Sequence, residues 1–243
     1  MTTRSPYRWA LAAGALSVVV AIVIGSLVHT HPAVWDRLIL AQLLAARTDV
    51  TTSTLVSITT LFNPLGSVLL ALALAVGIWA VTRDLRCAGF ILAAPIVASA
   101  ITHTLKYLYH RERPPELDHL VTAVDYSFPS GHTTAAASLA LGTALVVAAY
   151  WRSWPGRVLV VALALALAVT VAVSRLYLGV HWFTDTLAGG LIGCGGTLLM
   201  SFLLVGAHQR REARQRMNAR AGSSNSAATS ARKREPSSPS TSR

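Results

Sequence analysis

Six apolar stretches recur along this chain, each close to the roughly 20 residues that a helix needs to cross a ~30 Å hydrocarbon core. They run from Trp9 to Val28, Leu65 to Val81, Cys87 to Tyr109, Thr133 to Trp151, Val158 to Tyr177 and Thr186 to Val205. The composition agrees, with 53% hydrophobic and 13% charged residues and a mean hydropathy of +0.52 over 243 residues, far from the soluble average. The expected fold is therefore all-α, a polytopic membrane bundle of six transmembrane helices filling residues 1–206. The first run follows Arg4 and Arg8 and has the length and basic flank of a secretory signal. Because no small-x-small cleavage site followed by a soluble domain is evident, it is read as a span.

A formal charge of +11 would suit a nucleic-acid binder, but nine of the 21 Lys and Arg residues lie after residue 206, so the excess belongs to a tail. No nucleic-acid partner is expected. From Gly222 onward that tail is Ser, Ala, Pro and Arg with almost no large apolar residue, and it cannot bury enough surface to offset the entropy of ordering. Residues 207–243 are expected to be a basic, disordered cytoplasmic tail. Its first part, with Arg210, Arg211, Arg214, Arg216 and Arg220, reads equally as a topology signal and as a contact for anionic lipid headgroups. Cys87 and Cys194 have no CxxC spacing, so neither a disulfide framework nor a zinc site is implied.

Orientation follows from the cations on alternate sides of the spans. Fifteen Lys and Arg fall on the side of the two termini. Six fall opposite: Arg37, Arg47, Lys106, Arg111, Arg113 and Arg175. Both termini are expected in the cytoplasm, in a multi-pass protein of the cell membrane. Between the first two spans, Trp35, Leu38, Ile39, Leu43 and Leu44 recur near helical spacing, which predicts a short interfacial helix that packs or anchors without chemistry.

Most polar residues of the embedded region fall in two of the three outer loops, and three short segments stand out. Lys106-Tyr-Leu-Tyr-His-Arg-Glu-Arg113-Pro114 ends the third run, Pro129-Ser130-Gly131-His132 leads into the fourth, and Ser174-Arg175, His181 and Asp185 span the connection from fifth to sixth. Singly, a Lys or Arg at a span end snorkels to headgroups. Together, Lys106, Arg113 and Arg175 bring three positive charges to one side, and the arginine fork matches phosphate oxygens. Ser130 reads as an N-cap and Gly131 as a site of close backbone approach, so that exposed amides at a helix start face an anion. His181 and Asp185, four apart, share a face if helical, and the carboxylate then fixes the imidazole tautomer. A histidine so held can attack phosphorus while His132 protonates the departing oxygen.

These segments resemble the three-part signature of the type 2 phosphatidic acid phosphatase superfamily, K-x6-R-P, P-S-G-H and S-R-x5-H-x3-D, and every fixed position is present in order from Lys106 to Asp185. The resemblance implies that Lys106, Arg113 and Arg175 hold the phosphate beside Ser130, Gly131 and His132, with Ser174 in the same pattern. It implies that His181 is the nucleophile, forming a phosphohistidine that water hydrolyses, and that Asp185 orients it. No metal and no cofactor are implied. The substrate would be a lipid phosphate in the bilayer, met on the extracytoplasmic face.

The remaining histidines, His29, His31, His103, His110, His119 and His208, have no metal-ligand spacing and read as structural or interfacial. Gly189 and Gly193 match the small-xxx-small pattern of close helix packing. The same signature occurs in vanadium haloperoxidases, which resemble larger soluble proteins. A silent lipid-binding or transport protein is the alternative of another class, although no member of the constellation is missing. Among substrates an isoprenoid diphosphate such as undecaprenyl diphosphate is favoured over phosphatidate or phosphatidylglycerol phosphate, by analogy with compact bacterial members of that family.

Overall fold

In a computed structural model, residues 6–151 and 153–201 are described, all within the unit Met1–Val205. The tail expected over 207–243 lies outside them. Among the described residues, eight α-helices follow in order: α1 (Pro6–Val28), α2 (Val34–Ala45), α3 (Asp49–Thr60), α4 (Pro64–Thr82), α5 (Leu85–Tyr109), α6 (Gly131–Tyr150), α7 (Trp154–Tyr177) and α8 (Phe183–Leu199). Among the described residues, α1, α4, α5, α6 and α7 are long and apolar enough to cross a membrane. The described part of α8 has 17 residues, so the structure is an all-α bundle with five candidate spans.

Helix boundaries are set by caps rather than by the edges of the apolar runs. Helix α4 begins at Pro64 because Asn63 accepts the Gly66 amide at 2.6 Å and proline suits the first turn. Similarly, α7 starts at Trp154, ahead of its apolar run at Val158, because Ser153 caps it and Pro155 fits its first turn. Helices α4 and α5 stop where Arg83 and His110 enter the left-handed region, at φ 54° and 46°. The single interfacial helix expected over Pro32–Asn63 is two helices, because Thr48 breaks the chain in extended conformation and its hydroxyl accepts the Thr51 amide at 3.2 Å.

Helix α6 is central, packed by α5, α7 and α8, while α1 covers α8 and α4 lies on α5. Half of the most apolar stretch of α6 is buried but only 6% of that of α7, the difference expected between an inner helix and one facing lipid. The glycines of α8 explain its close fit. A Cβ on Gly193 would meet the Thr134 carbonyl at 2.5 Å, and one on Gly189 the Ser130 carbonyl at 2.6 Å. The small-xxx-small face therefore packs α8 against α6 within the chain. On another face, Gly195 and Gly14 bring α8 against α1, where an added Cβ on either would meet the other's carbonyl at 2.9 Å.

Gly193→Ala should lower the thermal unfolding temperature in detergent, by the equivalent of about 1–3 kcal/mol for an overpacked contact. Gly190→Ala, where an added Cβ meets nothing within 4 Å, should be neutral or stabilising, since alanine is the better helix former.

Candidate active site

The alternation of helix direction brings the ends of α5 and α7 and the starts of α6 and α8 to one end of the bundle. Lys106 is in the last turn of α5, Arg175 in the last turn of α7, His132 in the first turn of α6 and Asp185 in the first turn of α8. Arg113 belongs to the 110–130 connection, and His181 to the turn from α7 to α8. Gly179, at φ +73°, allows that turn, since a Cβ there would run into the Asp118 carbonyl. Lys106, Arg113, Gly131, His132, Arg175 and His181 all line one cavity of about 810 Å³. Its wall continues in apolar residues of α4, α5 and α6, among them Val68, Leu72, Ile96 and Leu139.

Three of the expected site residues, the orienting Asp185 and the phosphate-binding candidates Ser130 and Ser174, lie behind that wall. Asp185 is fully buried and contacts the site through His181. Ser130 occupies the N-cap position of α6 but makes no capping bond; its hydroxyl accepts from the Thr133 hydroxyl at 3.1 Å. Ser174 is fully buried and donates to the Val171 carbonyl of its own helix at 2.7 Å.

His181 precedes α8, so its relation to Asp185 is not that of two residues on a helix face. Asp185 is the third residue of α8, and its Oδ2 accepts the Trp182 amide at 2.8 Å, the reach-back of a capping carboxylate. The same oxygen lies 3.4 Å from His181 Nδ1 and also accepts the Ser127 hydroxyl. The Nδ1 proton accordingly faces Asp185. Nε2 faces the cavity, 3.3 Å from Arg113 Nη1. Burial pushes His181 below its ordinary pKa, and the cations Arg113, Lys106 and Arg175 push the same way. The imidazole is therefore neutral at neutral pH.

The three cations differ in their partners. Lys106 Nζ is 3.1 Å from Asp125 Oδ2, and Arg113 pairs with the other oxygen of the same carboxylate. Burial pushes the Asp125 carboxyl up, but Lys106 and Arg113 outweigh it and hold its pKa below the usual value. Arg175 is 5% exposed and has no carboxylate partner among the described residues. Its Nη1 donates only a long bond to the Thr59 hydroxyl at 3.3 Å, and its buried Nε has no acceptor. A buried guanidinium left this open is costly unless an anion completes it.

Four features were not among the sequence candidates. Asp125 carries no motif, and its only signal was an acid inside a loop flanked by site residues. His103, read as structural, sits one turn before Lys106 on the cavity wall. Arg111 and Asp36 are buried at 2% and 0% exposure and ion-paired at 2.7 Å, a partnership that no local spacing announces. Among the described residues, no three or more His, Cys, Asp or Glu side chains converge as a metal site.

A sequence model described as the PAP2 superfamily matches residues 84–209, just over half of the chain. The "Putative undecaprenyl-diphosphatase YbjG" of Escherichia coli strain K12 is 33% identical over 130 residues, 51% of this chain and 61% of that protein. The decaprenylphosphoryl-5-phosphoribose phosphatase of Mycobacterium tuberculosis strain H37Rv is 32% identical over 135 residues, 53% of this chain and 66% of that one. The chain thus spans less than two thirds of the length of these relatives. In three dimensions it resembles the transmembrane PAP2-type phosphatidylglycerolphosphate phosphatase of Bacillus subtilis, with a TM-score of 0.68 and 25% identity over 81% of this chain and 96% of that one. Motifs, helices and matched residues coincide, and the chain is a multi-pass membrane protein that belongs to the PAP2 superfamily.

Proposed function

We propose that this protein is a lipid phosphate phosphatase with His181 as its nucleophile and an isoprenoid diphosphate as its favoured substrate. The observation that carries this reading is Arg175, a buried guanidinium without an acidic partner among the described residues, opening onto the same cavity as Lys106, Arg113, His132 and His181. A phosphoryl group supplies the anion that Arg175 lacks, and the apolar wall suits a hydrocarbon chain. The polyprenyl lipids named for two of the relatives favour an isoprenoid diphosphate over phosphatidate. The Bacillus structure keeps phosphatidylglycerol phosphate as the second reading.

In the proposed reaction, His181 Nε2 bonds to phosphorus as the bond from phosphorus to the leaving oxygen breaks. His132 gives that oxygen its proton, and Asp185 holds the Nδ1 proton throughout. Water then attacks the phosphohistidine, His132 takes its proton, and inorganic phosphate leaves. Lys106, Arg113 and Arg175 stabilise the phosphoryl charge, with the amides at Gly131 and His132 beside them and Ser130 and Ser174 supporting the two motif segments. For Lys106 and Arg113 to do this, Asp125 must release them. The resting site holds its own carboxylate where the substrate's anion belongs.

Purified protein should release phosphate from isoprenoid diphosphates faster than from phosphatidate or phosphatidylglycerol phosphate, with the same rate in EDTA. His181→Ala should abolish release while the protein still inserts and folds. Undiminished turnover by that variant removes the mechanism. Asp125→Asn should bind inorganic phosphate several-fold more tightly by calorimetry, because two cations lose the carboxylate that competes for them. Weaker binding would mean that Asp125 organises the clamp rather than filling it.

We further propose that α8 completes a sixth span, that residues 1–206 are the catalytic domain and 207–243 a basic cytoplasmic tail, and that the site faces away from the cytoplasm. The charge asymmetry supports this more strongly than a count suggests. Of the six cations on the site's side, Lys106, Arg113 and Arg175 line the cavity, Arg111 is ion-paired inside the protein, and Arg47 donates to the Tyr177 and Asp118 carbonyls. Arg37 alone among the six is an exposed charge, against fifteen on the other side. A cysteine at position 118, in the partly exposed Glu116–Asp118 turn, should react with an impermeant maleimide on intact cells. Labelling only after lysis would reverse the orientation.

A further inference from the structure

Behind His181 lies a charge cluster that the three motifs do not account for. Arg111 donates from Nη1 to Asp185 Oδ1 at 2.5 Å and from Nη2 to Asp36 Oδ2 at 2.7 Å. Thr184 closes the group, its amide reaching Asp36 Oδ1 at 2.8 Å and its hydroxyl contacting both that carboxylate and Arg111. Asp36 and Asp185 hold equivalent places. Each is the third residue of its helix, and each carboxylate accepts the N-cap amide, from Ala33 at 2.9 Å and from Trp182 at 2.8 Å.

The charge count decides what such a cluster can do. Arg111 with Asp185 alone is a neutral pair, and a carboxylate neutralised by a guanidinium is a poor partner for an imidazole that becomes cationic on bonding to phosphorus. With Asp36 on the opposite side of the guanidinium, the buried group carries one net negative charge next to His181 Nδ1. Two carboxylates sharing a cation in the interior are expensive to bury, and a helix anchor alone requires only one.

Resting on the reading of His181 as nucleophile, we propose that Asp36, acting through Arg111, is a positioning residue of the active site: it restores to Asp185 the negative charge that steadies the cationic histidine. Helix α2, which the sequence presented as an interfacial anchor, then carries part of the catalytic electrostatics. Asp36 touches neither cavity nor substrate, so its effect falls on kcat and on the pH at which His181 titrates. The charged and titratable groups that face His181 are Lys106 from α5, Arg113 and Asp125 from the connection, His132 from α6, Arg175 from α7 and Asp185 from α8. Asp36 adds to these from behind.

The test compares Asp36→Asn with Thr184→Val in the full-length protein, using farnesyl diphosphate hydrolysis in detergent and an NMR titration of isotope-labelled histidine, with His181 assigned through His181→Ala. Asp36→Asn should lower kcat about tenfold, the lower end of what outer partners contribute at reactive centres, with KM within about twofold. The His181 midpoint and the acid limb of kcat/KM should both move down by about half a pH unit, because loss of a negative charge disfavours the imidazolium. Thr184→Val removes hydrogen bonds but no charge, and should lower the unfolding temperature while leaving midpoint and limb in place. If Asp36→Asn moves neither, Asp36 is only an anchor and the proposal is overturned. Should Asp36→Asn not fold, Asp36→Glu decides: the charge moves by one methylene, so kcat should fall several-fold with the midpoint retained, and an unchanged kcat overturns the proposal. The NMR midpoint reads the coupling without turnover. A midpoint that moves in Asp36→Asn while the wild-type protein hydrolyses nothing would sink the phosphatase reading and leave the coupling standing.

Discussion

One guanidinium holds the active end of this bundle together. Arg111 lies between the carboxylates of α2 and α8, and its carbonyl accepts the Ser127 amide at 2.9 Å, while Ser127 in turn donates to Asp185. Helix α2, the 110–130 connection and the start of α8 are thereby fixed to one another through charge-assisted bonds in a region with almost no solvent. Removing one partner from such a buried pair typically costs about 3–5 kcal/mol, because the survivor is left uncompensated. The ring of His181, which faces the cavity, stands in front of this cluster.

The bundle was readable from the sequence because membrane helices advertise themselves by length and apolarity, and the five candidate spans fall where the first five runs lie. The start of α7 shifted by several residues because Ser153 and Pro155 govern its first turn, and capping extends a helix beyond its apolar part. Six of the nine expected site residues line the cavity together, because motif residues were separated by whole helices whose alternating directions return them to one end. Ser130, Ser174 and Asp185 lie behind the wall, a distinction of depth that a linear pattern cannot express. Arg111 was counted as a topology signal and Asp36 was passed over. Their partnership joins positions 75 residues apart, and only tertiary structure reveals it.

The contrast between Asp125 and Arg175 gives the cavity two different kinds of positive charge. Lys106 and Arg113 are held ready by a carboxylate on a connection outside the helices, whereas Arg175 stays open at the base of the cavity against α3. An incoming anion would find one cation already free and two available by exchange. Such an exchange would swap one carboxylate for one anion, so the cavity would not pass through a state in which all three positive charges repel one another unscreened.

The long-range bonds of α2 also bear on how the protein is made. Asp36 waits for Thr184, 148 positions later, and Arg47 for the carbonyl of Tyr177, 130 positions later. During synthesis on a membrane, the first helices insert well before those partners exist. Asp36 can pair with Arg111 once α5 and the connection after it have been made, but its bonds to Thr184 and the bonds of Arg47 to Tyr177 stay incomplete until the end of α7 and the start of α8 arrive. A nascent chain halted earlier would present a membrane-inserted bundle without a formed site, so catalytic competence is the last property this polypeptide acquires.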